Sequence, residues 1–241
     1  MAKKQYFLTI DTETTQDQLV ADFAAVITDK KGRIVSQMAV LIDGIFTDYE
    51  NHPLFFTSDP TGIWSKRGLD SRYTRYNEMV DSGDRMIASV SAVNRWLVKA
   101  LTTYPNLMLT AYNLAFDVDK CKRTGIEIDI FESRFCLWYA AYTMWAHTKK
   151  YRNFAMSVHA FNAPTEHGNM SFKTNAETMT RFVLGMPELE DEPHTALEDV
   201  LYYELPILNK ILASKSAKWL QTQPRAYNWR ECQVRDHFTA K

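Results

Sequence analysis

The chain has 241 residues, 46% hydrophobic and 24% charged, the balance of a folded globular protein and not of a disordered or fibrous one. A formal net charge of −1 excludes a strongly basic overall field as the means of holding nucleic acid, although bound cations and a local patch would serve the same end. Three scattered cysteines, Cys121, Cys136 and Cys232, form no CxxC pair, which argues against a disulfide framework or a thiolate zinc site and for the reducing cytoplasm. The opening MAKKQYFLTIDTE does not read as a signal peptide, and no stretch approaches the ~18 apolar residues of a membrane span.

Residues 5–10 (QYFLTI) form a short apolar run suited to a buried strand, ending at the acidic DTETT. Residues 19–28 read as a second strand, 29–32 (DKKG) as a turn, and 33–42 as the returning strand of a hairpin. Residues 43–84 are broken by Pro53, Pro60, Gly62, Gly68 and Gly83 and are rich in aromatic rings and arginine. They read as an irregular insertion with no more than short helical turns. Ile87, Val90, Val93, Leu97 and Leu101 recur at helical spacing and predict a helix over 85–104, stopped by Pro105.

Residues 107–110 are a strand candidate, followed by AYNLAFD and a helix to about Thr124 with Gly125 as its stop signal. Residues 126–130 are the candidate fifth strand. Helices are predicted over 134–147, 175–184 and 195–212, the last bent near Pro206. A hairpin meander followed by β–α alternation predicts an α/β fold with a sheet of mixed direction. Residues 1–212 are expected to form one domain, with 213–241 as a tail packed on it.

Asp11 and Glu13 follow the first apolar run, and period-two geometry puts them on one face while Thr12 points away. Adjacent carboxylates repel, no basic partner lies near in sequence, and a hard cation such as Mg²⁺ or Mn²⁺ resolves the conflict through oxygen ligands. The Asp-x-Glu spacing alone is unspecific: it recurs at Asp48/Glu50, where the context reads as solvated loop charge. The stretch from Asn113 to Asp117 (NLAFD) follows a strand and opens a helix. Asp117 therefore falls at the carboxyl edge of the sheet, where open α/β sheets carry ligands; the plainer role for Asn113 or Asp117 is helix capping. His194 and Asp199 lie five apart, a turn of about 500° on an α-helix. They meet only if His194 sits in the loop after Pro193 and Asp199 inside the helix. Glu198, one position off, faces elsewhere.

In their order, IDTETT, AYNLAFD and HTALED resemble the motifs of the DEDDh exonucleases, the DnaQ-like family that includes polymerase proofreading subunits and oligoribonuclease. The resemblance covers three short blocks within residues 5–212. It implies a ribonuclease H-like fold: a central mixed five-stranded sheet, antiparallel meander then parallel strands, flanked by helices. It implies a 3′→5′ exonuclease that releases nucleoside 5′-monophosphates by a two-metal mechanism. Asp11, Glu13, Asp117 and Asp199 would hold two divalent cations, Mg²⁺ or Mn²⁺, with Asp11 bridging both. Glu13 and Asp199 would complete one site and Asp117 would support the other. His194 would be the general base that takes a proton from the attacking water, its ordinary pKa near 6.5 suiting the task. Thr12, Thr14 and Thr15, with Asn113 and Phe116, would line the pocket of the 3′-terminal nucleotide. One departure is Gln16, where many relatives have glycine, and it bears on the local turn.

The expected partner is DNA with a single-stranded 3′ end, preferred over RNA because the chain exceeds a compact oligoribonucleotide trimmer and carries the aromatic insertion. No residue declares itself a 2′-hydroxyl sensor. The rival expectations are an RNA 3′ trimmer and a catalytically silent nucleic-acid or polymerase adaptor on the same fold; five coordinated polar residues argue against the silent form. Residues 64–76 (WSKRGLDSRYTRY) and 149–154 (KKYRNF) interleave basic and aromatic side chains as nucleic-acid surfaces do. The tail, with Arg225, Tyr227, Trp229 and Arg230, has the same composition but reads as packing. A separate polymerase partner and self-association both stay open; neither the insertion nor the tail shows a clear amphipathic helix for docking a polymerase.

Overall fold

The computed structural model describes residues 4–235. Strands β1 (Tyr6–Thr14), β2 (Val20–Asp29) and β3 (Ile34–Ile42) form the antiparallel meander. Helix α1 (Leu69–Ser82), the short strand β4 (Met86–Ala88) and helix α2 (Val90–Thr103) follow. Then come β5 (Leu107–Ala111), α3 (Leu114–Thr124) and β6 (Arg134–Cys136). Helices α4 (Leu137–Ala141), α5 (Lys149–Ser157) and α6 (Ala176–Leu184) precede α7 (Ala196–Asp199), α8 (Leu205–Leu212) and α9 (Ala217–Thr222).

The strands lie in the order β4-β3-β2-β1-β5-β6, with β5 parallel to β1, β6 parallel to β5 and β4 parallel to β3. This is the expected mixed α/β sheet, an antiparallel meander followed by parallel strands, with β4 added at one edge so that six strands stand where five were expected. Alternation along the strands divides the core. Phe7, Ala24 and Val26 face a cluster with Leu137, Ile207 and Leu208, whereas Leu8, Ile10, Phe23, Ala25 and Ile27 face Val93, Leu97 and Leu114. Both faces of β2 are therefore covered, which explains its nearly continuous apolar run. Each of the larger of these side chains, such as Phe7, Leu8 or Ile27, contributes about 1.5–3 kcal/mol when taken wholly out of water, which makes the sheet the frame of the molecule.

Several elements differ from expectation for identifiable reasons. Strand β1 runs on through Thr14, carrying the acidic stretch inside the sheet. Residues 126–130 form a 3₁₀ turn at Ile128–Ile130, and the edge strand is β6 instead; a short apolar run does not by itself distinguish a strand from a buried turn. The helix over 85–104 gives up its first residues to β4, because Ser89 caps α2 by accepting from the Ala92 N–H. The insertion is less irregular than expected: α1 lays Leu69, Tyr73, Tyr76 and Val80 at helical spacing against Phe46 and Leu54. Tyrosine rings supply most of that stripe, so it escapes a search for aliphatic periodicity. Residues 134–147 divide into β6, α4 and a π turn at Tyr142–Ala146.

The segment 195–212 bends as expected, but the device is a π turn, Val200–Glu204, between α7 and α8. Pro206 falls in the first turn of α8, where its missing N–H and its ring would disrupt a continuous α-helix; the wider turn ahead of it relieves that clash. In the tail, Leu220 and Cys232 are buried, and Cys232 accepts a bond from the Phe172 N–H at 2.8 Å. The last part of the expected tail, 236–241, lies outside the described residues. Cys121, Cys136 and Cys232 are free thiols. Among the described residues no helix is long and apolar enough to cross a membrane.

Arg85 ties the frame to α7. Only 1% exposed, it pairs with Glu198 of α7 and reaches Asp22 Oδ1 of β2 at 3.4 Å. The other oxygen of Asp22 accepts from the Ala196 N–H, at the start of α7, at 2.9 Å. Glu198 thus faces away from the site, as expected. A buried guanidinium is costly unless paired, and a buried carboxylate robbed of its partner is costlier still. Arg85→Met is accordingly expected to lower folding stability by about 3–5 kcal/mol in urea denaturation; a loss below about 1 kcal/mol would deny the network this bracing role.

Candidate active site

Where β1 and β5 end, a cavity of about 350 Å³ opens. Strand β1 supplies Asp11, Thr12, Glu13 and Thr14 to it, and a bulge between Glu13 and Thr14 shifts the register against β2 just there. Bulges re-aim side chains, which accounts for consecutive residues of one strand reaching the same cavity. Tyr112 and Phe116 come from the junction of β5 with α3. His194 and Asp199 approach from the loop before α7 and from α7 itself, the arrangement their five-residue separation demands. His194 holds a left-handed backbone (φ 54°), which swings its ring over the cavity.

Glu13, His194 and Asp199 each present a ligand atom within 4.8 Å of the others, a grouping able to hold a metal ion. Asp11 lies on the same wall. Asp117 is 2% exposed and sits behind Thr12, whose hydroxyl donates to Asp117 Oδ1 at 2.8 Å. Thr12 therefore does not point away from the acids; it joins two of them. Thr14 and Phe116 also border the cavity. Thr15 does not: its hydroxyl donates to Asp17 Oδ1 and accepts from the Leu19 N–H, shaping the β1–β2 turn. The positive φ of that turn falls on Gln18, so position 16 needs no glycine, and the Gln16 amide instead donates to the Phe56 carbonyl. Asn113 (φ 70°) makes no side-chain cap bond and borders a neighbouring cavity that shares Tyr112 and Asn175 with the first. Asp48 is spent on an exposed turn with Asn51.

Two further acids, Glu192 and Glu204, line the same cavity. Glu192 closes an acidic run just before Pro193, and Glu204 follows Asp199 by five residues; neither spacing has a family signature to draw attention to it. Burial and mutual repulsion raise the whole set. Burial, then Asp22, lifts Asp11 to about 7; burial, then Asp11, lifts Glu192 to about 8; burial, then Asp11 and Glu13, lifts Asp199 to about 10. Glu13, Asp117 and Glu204 are pushed well above the ordinary range, again by burial first. Asp199 Oδ1 and Glu204 Oε2 are buried with no hydrogen-bond partner. Hard, clustered and unsatisfied oxygens fit a divalent cation.

The roof comes from the insertion. Trp64 packs on the His194 ring with centroids 4.5 Å apart. Arg72 lies over Trp64 and donates to the Phe55 carbonyl at 2.6 Å. Arg75 of α1 donates to the Pro193 carbonyl at 2.7 Å. Burial, then Arg72 and Arg75, depresses the His194 imidazole to about 4, so it is neutral at pH 7 and not poised near 6.5 as expected. In the stretch 149–154, Tyr151 is buried and bonds the Lys173 carbonyl and Arg152 bonds that of Glu231, while Lys149 and Lys150 are exposed. In the tail, Tyr227 stacks on Trp138 at 4.7 Å and Arg225 pairs with Glu231.

No family model matches the chain, and no curated protein matches it in sequence. Among solved structures, E. coli exonuclease I in complex with a 5cy-dT13 oligonucleotide aligns over 88% of this chain and 41% of its own, at 18% identity and a TM-score of 0.49. A crystal structure of exonuclease I in complex with the inhibitor BCBP aligns over 90% and 43%, at 14% identity and a TM-score of 0.41. The chain thus spans less than half the length of the exonuclease I chains it is similar to.

Proposed function

We propose that this protein is a DEDDh-type, DnaQ-like 3′→5′ exonuclease that hydrolyses DNA from a single-stranded 3′ end and releases nucleoside 5′-monophosphates. The observation that carries the reading is the convergence of Glu13, His194 and Asp199 within 4.8 Å, with Asp11 on the same cavity wall and Asp117 joined to it through Thr12. In this reading residues 1–212 are the exonuclease domain, 213–241 pack on it, and the free thiols suit action in the cytoplasm.

Asp11, Glu13, Asp117 and Asp199 would hold two divalent cations, Mg²⁺ or Mn²⁺. When bound, such a pair stabilises the charge on the attacking and leaving oxygens of an in-line displacement. His194, neutral at pH 7, accepts the proton of the attacking water; its left-handed backbone and the Trp64 contact hold the imidazole in place. Phe116, 42% exposed, offers a ring face to the terminal base, and Thr14 offers a hydroxyl to its sugar or phosphate.

Asp11→Asn, or excess chelator, is expected to abolish release of nucleotide from a 3′-labelled single strand, while circular dichroism stays that of the folded protein. Matched DNA and RNA strands labelled at either end test polarity and sugar preference together; release from the 5′ end would sink the proposal. His194→Ala is expected to slow the reaction about 10²–10⁴-fold, and a loss below tenfold would remove it from the role of base.

The raised carboxylates also set the pH dependence of the cation-free protein. Asp11 near 7 and Glu192 near 8 bind protons more tightly folded than unfolded, where carboxylates titrate near ~4. Their contribution to stability is thus full below about pH 4 and lost as pH rises through 7 to 8. In chelator the melting temperature is expected to fall across that window, and Mg²⁺ or Mn²⁺ is expected to restore it at pH 8; a melting temperature indifferent to cations would contradict the reading.

A further inference from the structure

Glu204 does not belong to the four acids of the resemblance, yet it is built into the same cavity. On an unbroken α-helix it would stand about 140° around the axis from Asp199. The π turn Val200–Glu204 alters that: the Leu205 N–H bonds the Val200 carbonyl, so residues five apart stack along the axis and Glu204 comes to the face of Asp199. Glu204 is 3% exposed. One carboxylate oxygen accepts from the Tyr112 N–H at 2.9 Å. The other is buried without a partner, on a residue that lines the cavity.

Strand register places that carboxylate. The β1–β5 pairing runs Tyr6 with Leu107 to Thr9 with Thr110, and the same offset carried two residues past its end matches Asp11 with Tyr112, both of which line the cavity. Glu204, fastened to the Tyr112 N–H, is therefore a neighbour of Asp11 on the side leading to α3 and Asp117. The charges bearing most on Glu204 are those of Asp11 and then Asp117. Glu13, His194 and Asp199 make up the grouping able to hold a metal ion in the same cavity.

We propose that Glu204 is a fifth acidic ligand for the bound cations, serving the ion on the Asp11–Asp117 side directly or through a water. This rests on the nuclease reading above. A hydrogen bond to Tyr112 accounts for one oxygen of Glu204, and a glutamine would satisfy it equally well. The second oxygen, desolvated among like charges, is a lasting expense to the fold unless a cation meets it. The π turn is what aims it there.

The test is Mn²⁺ binding followed by calorimetry, with melting curves in chelator and in Mn²⁺, for the wild type and Glu204→Gln. The glutamine keeps an acceptor for Tyr112 and removes the charge. In chelator the variant is expected to melt at or above the wild type, since a desolvated acid buried among other acids is gone. In Mn²⁺ it is expected to gain less, with one cation bound at least about tenfold more weakly, a change worth about 1.4 kcal/mol. Should the glutamine variant fail to fold, Glu204→Asp keeps the charge but shortens its reach, and weakened Mn²⁺ binding is again expected. Wild-type Mn²⁺ affinity in the folded variant would overturn the assignment while leaving the nuclease reading in place. A wild type that takes up no Mn²⁺ would overturn both.

Discussion

Like charges held out of water govern this molecule. Asp11, Glu13, Glu192, Asp199 and Glu204 line one cavity at the end of the sheet with Asp117 behind Thr12, and Arg72 is the basic side chain whose charge reaches Glu13. Two carboxylates 4.8 Å apart, as Glu13 and Asp199 are at most, repel by about 3–4 kcal/mol at an effective dielectric of ~20. A few such pairs rival the whole net stability of a domain, about 5–15 kcal/mol. The set therefore exists in one of two conditions, protonated or neutralised by cations. Everything around it serves to hold the acids together until one condition is met.

The holding is done by parts of ordinary kind. A sheet with both faces covered keeps β1 and β5 from parting. A bulge turns consecutive β1 residues into one cavity. Arg85, spanning Asp22 and Glu198, anchors α7 to β2 and so fixes Asp199 from behind. Each of these parts opposes the same repulsion, and Arg85 does so from outside the cavity wall.

The order of the three acidic blocks was legible because each carries its chemistry in a few consecutive residues, and the meander was legible because β2 and its neighbours are written in apolar runs. What escaped is what depends on meeting across distance. Glu204 has no local mark, since a π turn undoes the helical arithmetic by which a reader would discard it. Arg85 looks like a helix start and is a buried brace. Helix α1 hid because Tyr73 and Tyr76 do the work of leucines. Thr12 reads as outward from strand alternation alone; its bond to Asp117 depends on a residue 105 positions away. The depression of His194 comes first from burial and then from Arg72 and Arg75, more than a hundred residues earlier in the chain.

That last connection has a mechanical side. Arg75 grips the Pro193 carbonyl, and Trp64 rests on the His194 ring. Both belong to the excursion between β3 and β4, which makes no strand of the sheet. The imidazole is thus tethered to an appendage and not only to the scaffold beneath it. A shift of this excursion is transmitted to the loop of His194 through the Arg75 hydrogen bond and to its ring through Trp64, so the acids can stay in register while the imidazole is drawn off station.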